Sequence, residues 1–146
     1  MPQPKIHIVG IGDDGLEGLT SAARQLVEQA DLLVGTRPLL AAADGKSEKV
    51  EVGGDLEAIV RKIEAAGNKR VVVLTAGDPM FYGTARFLCD RLGKDRFEVT
   101  PHVSSMQLAF ARVKETWDDA YLTNLAAQPL ELVVEKYRPR LATNAR

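Results

Sequence analysis

Residues 71–83 constrain the fold of this chain more than any other segment, and they read Val-Val-Val-Leu-Thr-Ala-Gly-Asp-Pro-Met-Phe-Tyr-Gly. The apolar start, with three β-branched valines, predicts a buried strand of a parallel sheet. The strand pattern stops at Gly77-Asp78-Pro79, and an amphipathic helix pattern follows. Ligands of open α/β sheets bind beyond the carboxyl ends of strands. We therefore expect a site at Asp78, whose carboxylate favours a ligand that carries positive charge or hydroxyl groups.

Strand and helix patterns alternate along the chain. Strands are predicted at residues 6–11, 32–34, 49–52, 71–74 and 97–100. Helices are predicted at residues 19–30 with Thr20 or Ser21 near the N-cap, 38–43, 56–66 between Asp55 and Gly67, 85–92, and 104–113 with Met106, Ala109, Phe110 and Val113 inward. This alternation predicts an α/β fold, an open and mostly parallel five-stranded sheet with helices on both faces.

The end of the chain departs from this pattern. Residues 1–116 are predicted to form the first domain, and residues 117–146 to be a linker and the start of a second one. Residues 120–123 are a candidate strand, and Leu130, Val133, Val134 and Tyr137 mark an amphipathic helix. One strand and one helix cannot bury their own apolar faces, so we expect a partial second α/β domain in a truncated chain.

Composition excludes several classes of protein. The 146 residues are 45% hydrophobic and carry a net charge of -1, so no basic field attracts nucleic acid. No apolar run approaches the roughly 20 residues of a membrane span, and no secretory signal is visible, so we expect a cytoplasmic protein. The single cysteine, Cys89, is expected to be a buried small hydrophobe. His7 and His102 lack further ligands at suitable spacing, so no metal site is expected.

Gly10-x-Gly12-x-x-Gly15 satisfies the dinucleotide-binding fingerprint after a strand. In that fingerprint the helix begins within the glycines, so that its N-terminus meets the pyrophosphate. Here the first good N-cap, Thr20, comes five residues after Gly15, and neighbouring acidic side chains such as Asp13 would repel a pyrophosphate. Nucleotide binding of this type is therefore the weaker hypothesis, and a tight structural turn or a substrate contact remains open.

Two candidate site residues also have local structural roles. Asp78 is a candidate N-cap of the following helix, with Pro79 at its first position. Ser104 and Gln107 fit a capping box. Both roles are compatible with ligand contact, because a capped loop is rigid.

Three segments resemble one family. Residues 75–83 resemble the signature loop of the tetrapyrrole (corrin and porphyrin) methylases, which use S-adenosylmethionine. Residues 8–19, Ile-Val-Gly-Ile-Gly-Asp-Asp-Gly-Leu-Glu-Gly-Leu, resemble the opening of the precorrin-6Y methyltransferase branch, where most other branches have Gly-Pro-Gly. Residues 101–111, Pro-His-Val-Ser-Ser-Met-Gln-Leu-Ala-Phe-Ala, resemble the second cofactor loop of that branch. The three segments follow one another at the spacing of the family.

The resemblance implies an S-adenosylmethionine-dependent C-methyltransferase that acts on a corrin precursor of the precorrin-6Y type in cobalamin biosynthesis. It implies a cofactor site made of Thr75, Ala76, Gly77, Asp78, Tyr82, Val103, Ser104 and Ser105. It implies substrate contacts from Gly10, Gly12, Asp13 and Arg37. It identifies no catalytic acid or base, because methyl transfer from a sulfonium depends mainly on positioning and desolvation. Members of the family have two α/β domains with the cofactor between them.

The same resemblance implies a tetrapyrrole substrate, a homodimer of the intact protein and, in some relatives, a separate decarboxylating methyltransferase domain. One segment departs from the branch, which usually carries Leu-His-Gly-Arg before a proline. Here Ala126, Ala127 and Gln128 precede Pro129, and the lost arginine removes a bidentate contact to substrate carboxylates. Two alternatives therefore stay open, a non-catalytic or differently specific member of the fold and, less favoured, a dinucleotide-binding oxidoreductase.

Overall fold

Five strands form one parallel sheet in the computed structural model of this chain. They are β1 (Ile6–Ile11), β2 (Leu32–Gly35), β3 (Glu48–Glu51), β4 (Val71–Ala76) and β5 (Phe97–Thr100). The spatial order is β3-β2-β4-β1-β5, and each neighbouring pair is parallel. The predicted five-stranded sheet is confirmed, and its observed strands begin and end within two residues of the predicted ones.

The structure describes residues 3–43, 45–81, 83–124 and 129–143, with side chains described as far as Lys136. The chain divides into two compact units, Met1–Lys114 and Glu115–Arg146. The sheet lies entirely in the first unit.

Helices of the first unit cover both faces of the sheet, as predicted. They are α1 (Ser21–Glu28), α2 (Arg37–Ala41), α3 (Leu56–Ala66), α4 (Thr84–Leu92) and α5 (Ser105–Val113). Ala23 of α1 and Leu40 of α2 pack in one buried cluster with Val9 of β1. Side chains of α3 and α4 form the other cluster with Ile8, the next residue of the same strand. Successive residues of a strand point to opposite faces, so the two clusters are the two sides of the sheet.

The ends of α1 and α3 are stabilised by the capping residues that the sequence predicted. The backbone N–H of Ala23 donates to the Thr20 hydroxyl at 3.2 Å, and the N–H of Ala58 donates to Asp55 Oδ1 at 3.2 Å. Each bond satisfies one of the N–H groups that have no intrahelical partner in the first turn. Gly67, with φ of 59°, ends α3 in the region that favours glycine.

Helical periodicity of apolar residues predicted burial correctly for Cys89 in α4 and incorrectly for Val113 in α5. Cys89 is buried in α4 as predicted, and burial raises the pKa of its thiol. In α5 no side chain is buried, and Val113 is 65% exposed although its spacing predicted an inward position. The inward placement of the predicted α5 residues is therefore wrong in part. Apolar periodicity identifies one face of a helix, whereas burial also requires a partner for that face.

The second unit contains α6 (Leu130–Thr143), where the amphipathic helix was predicted. The candidate strand at residues 120–123 is not formed, and its backbone is irregular in the described residues. A strand depends on a hydrogen-bonding neighbour, which local sequence cannot supply. Within the part of the chain that the structure describes, no helix is both long and apolar enough to cross a bilayer.

A matched pair of valine substitutions tests the two-sided core. Val73→Ala, in the fully buried centre of β4, should lower the free energy of unfolding by about 2–3 kcal/mol, because two methyl groups are lost and a cavity is left. Val113→Ala, on the exposed surface of α5, should change it by less than about 0.5 kcal/mol. Urea denaturation followed by circular dichroism measures both, and equal losses would contradict this description of the core.

Candidate functional site

Three loops meet beyond the carboxyl ends of β1, β4 and β5, and they enclose a cavity of ≈ 260 Å³. The cavity is lined by Ile11, Gly12, Asp13, Ala76, Gly77, Asp78, Phe81, Val103, Ser104, Ser105 and Leu108. The loops of Gly12, Asp78 and Ser104 therefore meet at one edge of the sheet, where the sequence predicted a site at Asp78. Eight of the twelve predicted site residues line this one cavity.

The loop after β4 passes over the end of β1 to reach the loop after β5. The N–H of Gly77 donates to the Ile11 carbonyl at 2.9 Å, and the Gly77 carbonyl accepts the N–H of His102 at 3.2 Å. This crossing requires a glycine at position 10, because a Cβ on Gly10 would lie 2.0 Å from the Gly77 oxygen. Gly10 is buried and is absent from the cavity lining. Its expected substrate contact is replaced by a structural role.

Gly77 itself combines two requirements for glycine. Its φ of 63° lies in the left-handed region, which side chains disfavour. A Cβ at this position would also lie 2.9 Å from the Cα of Ser104. The close approach brings the β4 loop against the first residues of α5, so both loops contribute to one wall of the cavity.

Asp78 forms a turn rather than a helix cap. Its Oδ1 accepts the N–H of Met80 at 2.9 Å, and its carbonyl accepts the N–H of Phe81 at 3.2 Å. The helix α4 begins only at Thr84, after Gly83 with φ of 90°. The prediction of Asp78 as N-cap and Pro79 as first helical residue is therefore wrong. Aspartate side chains stabilise such turns as readily as helix ends, and the sequence pattern of the two is similar.

Ser104 caps α5 at the edge of the cavity, and the predicted capping box is confirmed. Its hydroxyl accepts the N–H of Gln107 at 3.1 Å, while the Gln107 side chain accepts the N–H of Ser104 at 2.9 Å. The N–H groups of Ser105 and Met106 lie in the same first turn and have no intrahelical acceptor. They give the cavity the positive end of a helix dipole.

The glycines after β1 form a tight turn and no helix N-terminus. The N–H of Gly15 donates to the Gly12 carbonyl at 3.1 Å, and a short 3₁₀ helix follows at Gly15–Gly18. The α-helix begins at Ser21. The geometry that a dinucleotide pyrophosphate requires is therefore missing from this loop, as the sequence indicated.

The cavity has an acidic lining. Asp13 and Asp78 contribute carboxylates, and no lysine or arginine of the described residues lines it. Neither carboxylate forms an ion pair with a lysine or arginine within residues 3–43, 45–81, 83–124 and 129–136. Such a lining favours a cationic ligand, with the α5 N-terminus available for one anionic group.

The remaining predicted site residues lie outside the cavity or outside the described residues. Thr75 alternates with Ala76 and points to the other face of the sheet, where its buried Oγ1 has no hydrogen-bond partner among the described residues. Arg37, at the start of α2, faces Glu51 at 3.4 Å and does not line the cavity. Tyr82 and residues 125–128 lie outside the described residues.

Sequence reasoning missed three apolar residues of the lining. Ile11, Phe81 and Leu108 lie beside the predicted polar residues and complete the wall. Phe81 and Leu108 belong to two of the segments that carried the resemblance. Their position at the edge of the sheet was the available signal.

Comparisons with known proteins agree with this geometry. The family model of the tetrapyrrole (corrin/porphyrin) methylases matches residues 5–144. A precorrin-6Y C(5,15)-methyltransferase (decarboxylating) from Sinorhizobium sp is 36% identical over 145 residues, which are 98% of this chain and 34% of that relative. This chain therefore spans about a third of the length of that relative.

Two solved structures share the fold. A precorrin-6Y methylase from Archaeoglobus fulgidus aligns with a TM-score of 0.68 at 28% identity, over 85% of this chain and 66% of that one. A uroporphyrin-III C-methyltransferase from Thermus thermophilus, complexed with S-adenyl homocysteine, aligns with a TM-score of 0.57 at 32% identity, over 72% of this chain and 47% of that one. Because the family model covers nearly the whole chain and the described loops form one cavity, the chain belongs to the tetrapyrrole (corrin/porphyrin) methylases.

Proposed function

We propose that this chain is the cofactor-binding part of an S-adenosylmethionine-dependent C-methyltransferase. Its substrate is a corrin precursor of the precorrin-6Y type, and its pathway is cobalamin biosynthesis. The observation that carries the proposal is the convergence of the three family-like loops on one acidic cavity. The names of the relatives support the reaction class and the substrate class.

The cavity fits the charges of S-adenosylmethionine. The cofactor carries a sulfonium and an ammonium group, which suit the carboxylates of Asp13 and Asp78. Its carboxylate suits the N–H groups of Ser105 and Met106 at the start of α5. Apolar side chains such as Leu108 offer a surface for the adenine ring. Tyr82 and Thr75 stay part of the proposed cofactor site only through the resemblance.

The residues of this chain position the reactants and exclude water. When bound, S-adenosylmethionine supplies a methyl group on a positively charged sulfur, and the leaving group is a neutral thioether. Gly77 brings the β4 loop close to Ser104, so the cofactor is held between two rigid loops. Orientation and desolvation of this kind lower the barrier without a general acid or base.

The structure supports two of the four substrate contacts that the resemblance implies. Gly12 and Asp13 lie on the β1 side of the cavity, where a planar tetrapyrrole would approach. Arg37 is exposed, faces Glu51 at 3.4 Å and lies outside the cavity lining, so its contact with substrate carboxylates rests on the resemblance alone. Residues 126–128, which replace the usual polar trio, bear directly on substrate binding and lie outside the described residues.

Three further features belong to the same proposal. We propose that the second unit begins a second α/β domain, that the intact protein is a homodimer, and that decarboxylation is carried out by a separate methyltransferase domain. The name and the length of the Sinorhizobium relative support the last of these, because this chain covers 34% of it.

Cofactor binding and methyl transfer test the proposal directly. Calorimetric titration of the natural full-length protein should show that it binds S-adenosylmethionine and S-adenosylhomocysteine. The same titration should show no binding of the oxidised nicotinamide dinucleotide. Incubation of the natural full-length protein with S-adenosylmethionine and an enzymatically prepared precorrin should add methyl groups, as measured by mass spectrometry. Binding without transfer would support the non-catalytic alternative, whereas tight dinucleotide binding would contradict the proposal.

Two substitutions at Asp78 separate charge from turn formation. Asp78→Asn keeps an oxygen that can accept the Met80 N–H, so the melting temperature should stay unchanged. It removes the charge, so cofactor affinity should fall roughly 10- to 150-fold, since a hydrogen bond to a charged group contributes about 1.5–3 kcal/mol. Asp78→Ala should lose the same affinity and in addition about 1 kcal/mol of stability.

Calorimetry and thermal unfolding measure the two effects independently. If Asp78→Asn binds S-adenosylmethionine within twofold of the unchanged protein, Asp78 serves the turn alone. The cofactor site would then depend on backbone groups.

A further inference from the structure

His102 lies where the three loops of the cavity meet. Its backbone N–H donates to the Gly77 carbonyl at 3.2 Å, and its Nε2 lies 3.8 Å from Asp14 Oδ1. Its side chain is 21% exposed, and it does not line the cavity. The backbone of His102 therefore contacts the β4 loop, and its imidazole lies against the β1 loop.

The ring of His102 occupies the space of a missing side chain at Gly12. A Cβ on Gly12 would lie 2.7 Å from the His102 Nε2, 2.8 Å from its Cδ2 and 3.1 Å from Asp14 Oδ1. The backbone of Gly12 lies outside the left-handed region, so conformation does not require glycine there. Glycine is needed for the space that the imidazole fills. Gly12 itself lines the cavity, so the ring sets how far this loop stands from its neighbours.

The Asp14 carboxylate faces the same Nε2 edge of the imidazole as Gly12. The Asp14 carboxylate lies against Gly18, where an added Cβ would be 2.2 Å from both carboxylate oxygens. The carboxylate that faces His102 thus lies beside the 3₁₀ helix Gly15–Gly18. The carboxylate is more than half exposed, so the attraction is modest and depends on salt.

We propose that His102 is a positioning residue for the cofactor cavity. Its imidazole packs against Gly12 and, when protonated, is attracted to Asp14, and so it fixes the β1 loop against the loops after β4 and β5. The identity of the ligand in this inference rests on the proposed function. The position of the loop does not depend on it.

A double-mutant cycle tests the steric part of the proposal. Gly12→Ala should weaken S-adenosylhomocysteine binding by about tenfold or more, because the new methyl group meets the imidazole. His102→Ala should weaken S-adenosylhomocysteine binding by about threefold, because the imidazole no longer holds the β1 loop in place. The double variant should bind within about twofold of His102→Ala, since the remaining neighbour at 3.1 Å, Asp14 Oδ1, ends an exposed side chain that can move away.

Gly10→Ala is the matched control for this cycle. Its methyl group would meet the backbone oxygen of Gly77 at 2.0 Å, so His102→Ala should not rescue it. Additive losses for Gly12→Ala and His102→Ala, or equal rescue of both glycine variants, would overturn the proposal. Thermal unfolding of each variant separates lost binding from lost folding, and the same coupling should appear in the melting temperatures without ligand.

Asp14→Asn tests the electrostatic part in the unliganded protein. The backbone amide NMR signals of Gly12 and Asp13 should shift when salt is added, because salt screens the attraction between His102 and Asp14. Asp14→Asn should remove most of the shift of these two amides, and His102→Gln should keep the loop in place without a response to salt. An unchanged response to salt in Asp14→Asn would overturn the charge pairing. Failure of the unchanged protein to bind S-adenosylhomocysteine would instead count against the proposed function.

Discussion

The crossing of the β4 loop over the end of β1 is the contact on which the rest of the site depends. Gly10 leaves room for the Gly77 carbonyl, and that carbonyl accepts the N–H of His102. Through this one hydrogen bond the loops after β4 and β5 approach each other across an intervening strand. Gly77 then reaches Ser104, and the capped start of α5 becomes a wall of the cavity. A side chain at Gly10 would separate these loops.

The charge distribution of the site follows from the same arrangement. Parallel strands bring their carboxyl ends to one edge, so Asp13 and Asp78 meet there although 65 positions separate them in the sequence. The first turn of α5 offers N–H groups to the same cavity. A ligand with cationic groups and one carboxylate can pair with both the two carboxylates and the N–H groups of α5. A pyrophosphate at the β1 loop would be repelled by the carboxylates and would find no helix N-terminus there.

Two errors of the sequence interpretation have one physical cause. Asp78-Pro79 resembles a helix start, yet the aspartate closes a turn and α4 begins at Thr84. The α5 pattern predicted an inward Val113, which is exposed. In both cases the local pattern is compatible with two structures, and contacts distant in sequence select one of them. The caps of Thr20, Asp55 and Ser104 were predicted correctly, because each involves partners three residues away.

The sequence by itself determined the strands, most helix ends, the parallel sheet and the three loops that carry the family resemblance. Those features depend on periodicity and on short-range hydrogen bonds, which are visible along the chain. Only the tertiary structure decided that Gly10 is a spacer, that Arg37 faces Glu51 and that Thr75 points away from the cavity. It also placed the His102 ring against Gly12. These contacts join residues from different strands, and strand order is set by packing of the whole sheet.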